Sequence, residues 1–168
     1  MSDRYGHIVF HLNAMKDRSL TATDLAKKID ESLQSYKKAI EINPNHPEAH
    51  NNLGNAFKEQ KDYEKAIPHY EKAININPNY FEAYNNLGVV FNKLKNYSEA
   101  EKALKKAIQL NPKFVEAYSN LGSVFTNRKK YSQAIKYFDQ AIKINPNNAC
   151  LLYTSDAADE GLGVDLGG

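Results

Sequence analysis

Cysteine is almost absent from this chain of 168 residues, since Cys150 is the only one. One cysteine cannot form a disulfide framework or a metal site built from several thiolates. Long apolar runs are lacking too: the run near the N-terminus, Ile8-Val9-Phe10, is too short for a signal peptide or a membrane span. The formal net charge is only +2, which gives no argument for nucleic acid. We therefore expect a single domain located in the cytoplasm or nucleus.

What the sequence does contain is a period of 34 residues, present three times without insertion or deletion. The three rows are residues 47–80, 81–114 and 115–148. A fixed period of this size is typical of stacked repeats, in which one unit cannot bury its apolar face without its neighbours.

Each row predicts two helices, because apolar or small residues recur at steps of three and four in both of its halves. In the second row these residues are Tyr84, Leu87, Gly88 and Phe91, then Ala100, Leu104, Ala107 and Ile108. The small residues Gly88 and Ala100 predict a close approach of the two backbones. An Asn-Pro pair ends each row and stops the second helix, since the residue before proline is disfavoured in helical conformation. The pattern predicts an all-α fold, an α-solenoid of stacked antiparallel helix pairs with a concave inner surface.

The same positions resemble the tetratricopeptide repeat family, whose pattern runs aromatic, Leu-Gly, aromatic, Ala-x3-aromatic and Pro. The third row matches it with Tyr118, Leu121, Gly122, Phe125, Ala134, Phe138 and Pro146. The departures are mild: His50 stands in place of an aromatic residue in the first row, and Leu104 does so in the second. The resemblance covers residues 47–148 and implies a superhelical protein-binding scaffold without enzymatic activity.

The flanks of the rows are less regular. Residues 1–22 do not fit the repeat register, whereas residues 23–46 read as the second-helix half of a degenerate repeat that caps the stack. Within the first row, Pro68 lies inside the predicted second helix, where proline costs about 3 kcal/mol in an isolated helix. Because the surrounding pattern is so regular, we predict a continuous or slightly bent helix there.

The last residues differ in kind from the rest of the chain. The repeat stops at Ala149, and residues 150–168 resemble the in-frame translation of a transposase adaptor used in sequencing libraries, with CLLYTSDAADE followed by GVDLGG. We expect residues 149–168 to be an artefactual, disordered tail; the alternative is a natural flexible acidic terminus. On the first interpretation the natural protein continues beyond this point, and the last repeat has lost its covering neighbour.

The family resemblance also implies a binding groove, lined by the second, fifth, sixth, ninth, twelfth and thirteenth positions of each row. The sixth position is Asn52, Asn86 or Asn120. Carboxamides both donate and accept hydrogen bonds, so a row of them can hold an extended peptide whatever its side chains. The row resembles the asparagine ladder of O-linked N-acetylglucosamine transferases; the alternative is that Asn is merely abundant here. The implied peptide-binding residues are Asn51, Asn52, Asn55, Asn85, Asn86, Val89, Asn120 and Ser123.

A second binding mode known in the family does not fit. Repeats that bind the acidic tails of heat-shock chaperones use a clamp of Lys and Arg, and this chain has Asn51, Glu116 and Asn120 at those positions. The four acids and two lysines of the implied groove should repel an acidic tail.

No catalytic residue, cofactor or metal site is predicted. His46 and His50 are four residues apart, but Pro47 opens the helix between them, so the rings should not share a face. His7 and His11 have the same spacing and no visible third ligand. The isolated glycines at the eighth position serve helix packing rather than phosphate binding.

We therefore predict a non-catalytic scaffold that binds a protein or peptide segment, with no small-molecule substrate, nucleic acid or membrane as partner. The alternative is the substrate-recognition arm of a truncated larger enzyme, such as a glycosyltransferase. The uncovered last repeat also allows self-association.

Overall fold

The computed structural model describes residues 22–146, and their side chains from residue 27 onward. This range contains seven helices and no strand. They are α1 (Ala22–Ile42), α2 (Pro47–Glu59), α3 (Tyr63–Ile76), α4 (Phe81–Lys93), α5 (Tyr97–Leu110), α6 (Val115–Asn127) and α7 (Tyr131–Ile144). Residues 1–21 and 147–168, which include His7, His11 and the adaptor-like tail, lie outside the described range.

The helices form a stack of pairs. The most extensive packing joins α2 with α3, α4 with α5, and α6 with α7, which are the two helices of each 34-residue row. Each second helix also packs on the first helix of the next pair, and α1 packs on α2 in the same way. The predicted all-α solenoid is thus confirmed.

Each pair is held together by a large side chain of its second helix, which packs against the glycine of its first. A methyl group added to Gly88 would lie 2.6 Å from Leu104 Cγ and 3.2 Å from the Ala100 carbonyl oxygen. Gly54 and Gly122 face Tyr70 and Phe138 in the same manner. The two helices of a pair therefore approach as closely as Gly88 and Ala100 predict, and the glycine leaves room for a large core residue.

Proline terminates the second helices as expected. The residues before proline, Asn77 and Asn111, have extended φ angles of −126° and −136°. In both, the side-chain Oδ1 accepts a hydrogen bond of 3.1 Å from the backbone N–H two residues further on. The turn follows because proline ends the helix, and the Asn side chain satisfies one of its backbone N–H groups.

Pro68 does not break its helix. Helix α3 is continuous from Tyr63 to Ile76 with Pro68 inside it, so the predicted continuity is confirmed. Pro68 is the sixth residue, so the N–H that it lacks would have met only the carbonyl of Glu64 near the helix start. Packing of Tyr70 and Ala73, both fully buried, holds the helix across this point.

His50 takes over the contact made by the aromatic residue usual at its position. In the third repeat the Tyr118 hydroxyl donates to the Pro112 carbonyl oxygen at 3.1 Å. In the first, the His50 Nε2 lies 3.1 Å from the Pro44 carbonyl oxygen, which it can reach only as a donor. The other ring nitrogen, Nδ1, is buried without a hydrogen-bond partner.

The turn inside each pair contains a lysine in left-handed conformation. Lys61, Lys95 and Lys129 have φ angles of 61°, 60° and 57°. At the second turn the Asn96 N–H donates to the Phe91 carbonyl oxygen at 2.8 Å, which closes the helix across the lysine. This conformation suits glycine, whereas a side chain such as that of lysine costs roughly 1–2 kcal/mol.

Replacing Lys95 by Gly should therefore stabilise the chain by about 1 kcal/mol, because it removes this steric cost. The matched control is Lys93→Gly, which lies two residues earlier in the last turn of α4 and should destabilise by up to about 1 kcal/mol. Urea denaturation at unchanged slope measures both. A lower denaturation midpoint for Lys95→Gly would contradict the prediction.

Candidate peptide-binding groove

The inner surface of the stack consists of the first helices α2, α4 and α6. Helix α4 contacts both α2 and α6 directly, whereas the second helices of successive pairs make no comparable contact with one another. Elements on the inside of a curved stack lie closer together than those on the outside. The first helices therefore line the concave face, and the positions named from the sequence lie on them.

The sixth positions form a row of half-buried carboxamides. Asn86 Nδ2 donates to Asn51 Oδ1 of the preceding repeat at 3.0 Å, and Asn120 Nδ2 donates to Asn85 Oδ1 at 2.8 Å. Each bond uses one of two amide hydrogens, so both side chains keep a donor and acceptor capacity. Asn52, in the first repeat, is also half-buried.

Asn51 and Asn85 do not reach the surface of the groove. Their exposed fractions are 5% and 7%, and each accepts the bond from the row described above. Asn51 is also hydrogen-bonded to the Tyr80 hydroxyl, whose pKa is raised to about 12 by burial, with further contributions from Glu82 and Glu48. The two buried side chains thus orient the row from below rather than facing a ligand.

The side chains at the ninth position differ between the three repeats in the hydrogen-bonding groups that they offer. Asn55 Oδ1 accepts hydrogen bonds from the Tyr70 hydroxyl at 2.8 Å and from Lys58 Nζ at 3.1 Å. Val89 is half-buried and offers only apolar surface. Ser123 donates its hydroxyl hydrogen to the Ser119 carbonyl oxygen of its own helix at 3.0 Å, so its oxygen remains as an acceptor.

Lys58 stands at the twelfth position of the first row, one of the positions that the resemblance places in the groove, although it is not among the implied peptide-binding residues. Its ammonium group donates to Asn55 Oδ1 and, at 3.5 Å, to Asn86 Oδ1 of the next repeat. Burial lowers the pKa of Lys58, and the nearby Glu59 opposes that shift. The signal in the sequence was a difference between rows, because the same position holds Asn92 and Thr126 in the other repeats.

Acids and lysines lie at different ends of the first helices. Glu48, Glu82 and Glu116 lie in the first turns, and Lys58 and Lys93 lie in the last turns of α2 and α4. Helix α2 also ends on Glu59, and α6 has no basic residue in its last turn. Residues ten positions apart in a helix are separated by about 15 Å along its axis. The first-turn acids and the two lysines therefore lie at different levels of the concave face.

The three histidines of the described range, His46, His50 and His69, do not gather into a metal site. His50 is buried and stacks on His69, with ring centroids 5.8 Å apart, whereas the His46 Nδ1 lies 2.9 Å from a Glu48 carboxylate oxygen. No group of three or more potential metal ligands occurs in residues 22–146. None of the described helices is long and apolar enough to cross a bilayer.

Comparison with protein families finds repeats from residue 26 to residue 148. A model described as TPR repeat matches residues 26–61 and 54–95, and one described as Tetratricopeptide repeat matches residues 81–114 and 115–148. Tetratricopeptide repeat protein 36 of Caenorhabditis elegans is 32% identical over 65 residues. That match spans 39% of this chain and 36% of the relative's length.

Solved structures show the same architecture. MamA superposes with a TM-score of 0.73 at 26% identity, over 86% of each chain. Pseudomonas aeruginosa pilF gives a TM-score of 0.74 at 27% identity, over 80% of this chain and 61% of that one. The first repeat domain of Spaghetti (RPAP3), bound to an HSP90 peptide, gives 0.67 at 24% identity, over 70% of this chain and 93% of that one.

Proposed function

Since this chain belongs to the tetratricopeptide repeat family, whose members mediate protein–protein interaction, we propose that it binds an extended segment of another protein in its concave groove. In this proposal the chain binds and does not catalyse, because the family models that match it describe repeats. The observation that supports the proposal is the row of Asn52, Asn86 and Asn120, half-buried and placed at one position of successive first helices.

The row suits a main chain better than particular side chains. Each carboxamide presents both donor and acceptor capacity, which matches the alternating N–H and C=O groups of an extended peptide. The bonds from Asn86 and Asn120 to buried partners fix the amides before a ligand arrives. Groups already fixed lose less side-chain entropy on binding, and this increases affinity.

The test starts from a twelve-residue peptide selected on the wild-type chain from a random display library. Replacing Asn52, Asn86 and Asn120 together by Ala should weaken its binding by about 10- to 100-fold, because each hydrogen bond contributes about 0.5–1.5 kcal/mol. Fluorescence polarisation measures the dissociation constants. The matched control replaces three exposed asparagines outside the first helices, Asn75, Asn79 and Asn96, and should leave affinity unchanged.

A separate variant guards against indirect effects. Removing Asn86 or Asn120 leaves the buried Oδ1 of Asn51 or Asn85 without its partner, at a cost of about 1–3 kcal/mol. Asn52 makes no such bond among the described residues, so Asn52→Ala should weaken binding without lowering the melting temperature. Binding that survives in the triple variant, or a library that yields no binder to the wild-type chain, would refute the proposal.

A further inference from the structure

The groove is built from three equivalent repeats, but one of its charged groups, the ammonium group of Lys58, is present in the first repeat only. Lys58 is half-buried at the end of α2, and the equivalent positions carry the neutral residues Asn92 and Thr126. In the described part of the chain its ammonium group forms no salt bridge and is held by the amide oxygens of Asn55 and Asn86, while the nearby Glu59 acts on its charge only through space. A partly buried charge is costly unless it is paired, so this one is only half compensated.

Asn55 has used its acceptor capacity, Asn86 has used part of it, and both keep amide hydrogens to donate. Both lone pairs of Asn55 Oδ1 are used, one by the Tyr70 hydroxyl and one by Lys58. The Asn55 amide hydrogens remain, as do the second amide hydrogen of Asn86 and the third hydrogen of the ammonium group. An anionic acceptor is the chemistry that satisfies such a set.

We propose that Lys58, with Asn55 and Asn86, forms a subsite for one carboxylate side chain, an Asp or Glu of the bound segment. The subsite rests on the function proposed above, and it fixes the alignment of the bound segment along the groove. Three equivalent asparagines hold a main chain at any step of the repeat, whereas one acidic side chain opposite Lys58 selects a single alignment.

The charges of the groove limit the ligand to an isolated acid. Glu48, Glu82 and Glu116 lie in the first turns of their helices, about 15 Å along the axis from the level of Lys58. A single carboxylate at Lys58 stays away from these three and has one acid near it, the exposed Glu59. A run of acids along the groove would meet them and be repelled.

The test is a parallel selection on three chains, wild type, Lys58→Met and Lys72→Met. The library displays random twelve-residue segments between fixed Gly-Ser linkers, so no peptide has a free C-terminus. Sequences selected on the wild type and on Lys72→Met, the control at an exposed lysine of the second helix α3, should be enriched in Asp or Glu at one position. Those selected on Lys58→Met should lack this enrichment and still bind.

A double-mutant cycle then measures the contact. Replacing the enriched acid by its amide should weaken binding to the wild type by about 10-fold and leave binding to Lys58→Met unchanged, since a close charge pair couples by at least about 1.5 kcal/mol. Lys58→Arg keeps the charge and should retain the preference. Melting curves of all variants verify that the fold is intact.

The outcomes separate the two proposals. Binders without acid enrichment on the wild type, or with equal enrichment on Lys58→Met, overturn the carboxylate subsite and leave the groove standing. Absence of binders on every chain overturns both. A last comparison uses synthetic peptides with free and with amidated C-termini. If only the free C-terminus increases affinity, and only when Lys58 is present, the site binds a terminal carboxylate and the side-chain assignment is overturned.

Discussion

Leu104→Ala is expected to lower the free energy of unfolding by about 3 kcal/mol, within the range of 2–5 kcal/mol for removing a buried leucine side chain. Leu104 is fully buried in α5 and belongs to the core cluster that joins the second and third repeats. Its side chain also fills the space above Gly88. The substitution therefore leaves a cavity where the stack can least collapse.

The loss should also change how the chain unfolds. In a stacked array each repeat is stabilised by its neighbours, so a weakened central repeat separates the two ends. We expect a lower melting temperature and a broader transition by circular dichroism. The matched control is Leu94→Ala, at a leucine that is 41% exposed, which should shift stability by less than about 1 kcal/mol. Equal effects of the two substitutions would contradict the account of the core given above.

Gly88→Ala should destabilise the chain by about 1–2 kcal/mol, although alanine is the better helix former. The helical preference alone favours Ala by about 1 kcal/mol, but the added methyl group would lie 2.6 Å from Leu104 Cγ. Overpacking of this kind costs about 1–3 kcal/mol. The clash is with a branch point of a fully buried side chain and, at 3.2 Å, with the Ala100 carbonyl oxygen, so little can move aside.

The cost of Gly88→Ala should fall when Leu104 is absent. In the Leu104→Ala background the new methyl group meets the cavity, and only the contact of 3.2 Å with the Ala100 carbonyl oxygen opposes the helical preference of about 1 kcal/mol for alanine. Urea denaturation of the two single variants and the double variant completes the cycle. A coupling energy near zero would show that the glycine and the leucine do not share one space.

Much of the fold could be predicted from the sequence because the period itself carries the information. Rows of 34 residues with Leu-Gly at one step and Asn-Pro at another fix two helices, their ends and their stacking. The continuity of α3 through Pro68 also followed, since three copies of one pattern outweigh one unfavourable residue. The conformation of the turn lysines could not be predicted in this way. Lysine does not favour a positive φ, and the geometry of the helices on both sides imposes it on Lys61 and Lys95.

The groove shows the same division. From the sequence, the family resemblance implied which helices line the concave face, and the period determined which asparagines repeat at one position of those helices. Only the tertiary structure decided what each asparagine does, because the contacts run between repeats: Asn51 lies buried beneath Asn86, and Lys58 reaches across to the same amide. Periodicity places equivalent residues on one face, whereas burial and hydrogen bonding depend on the neighbour that each of them meets.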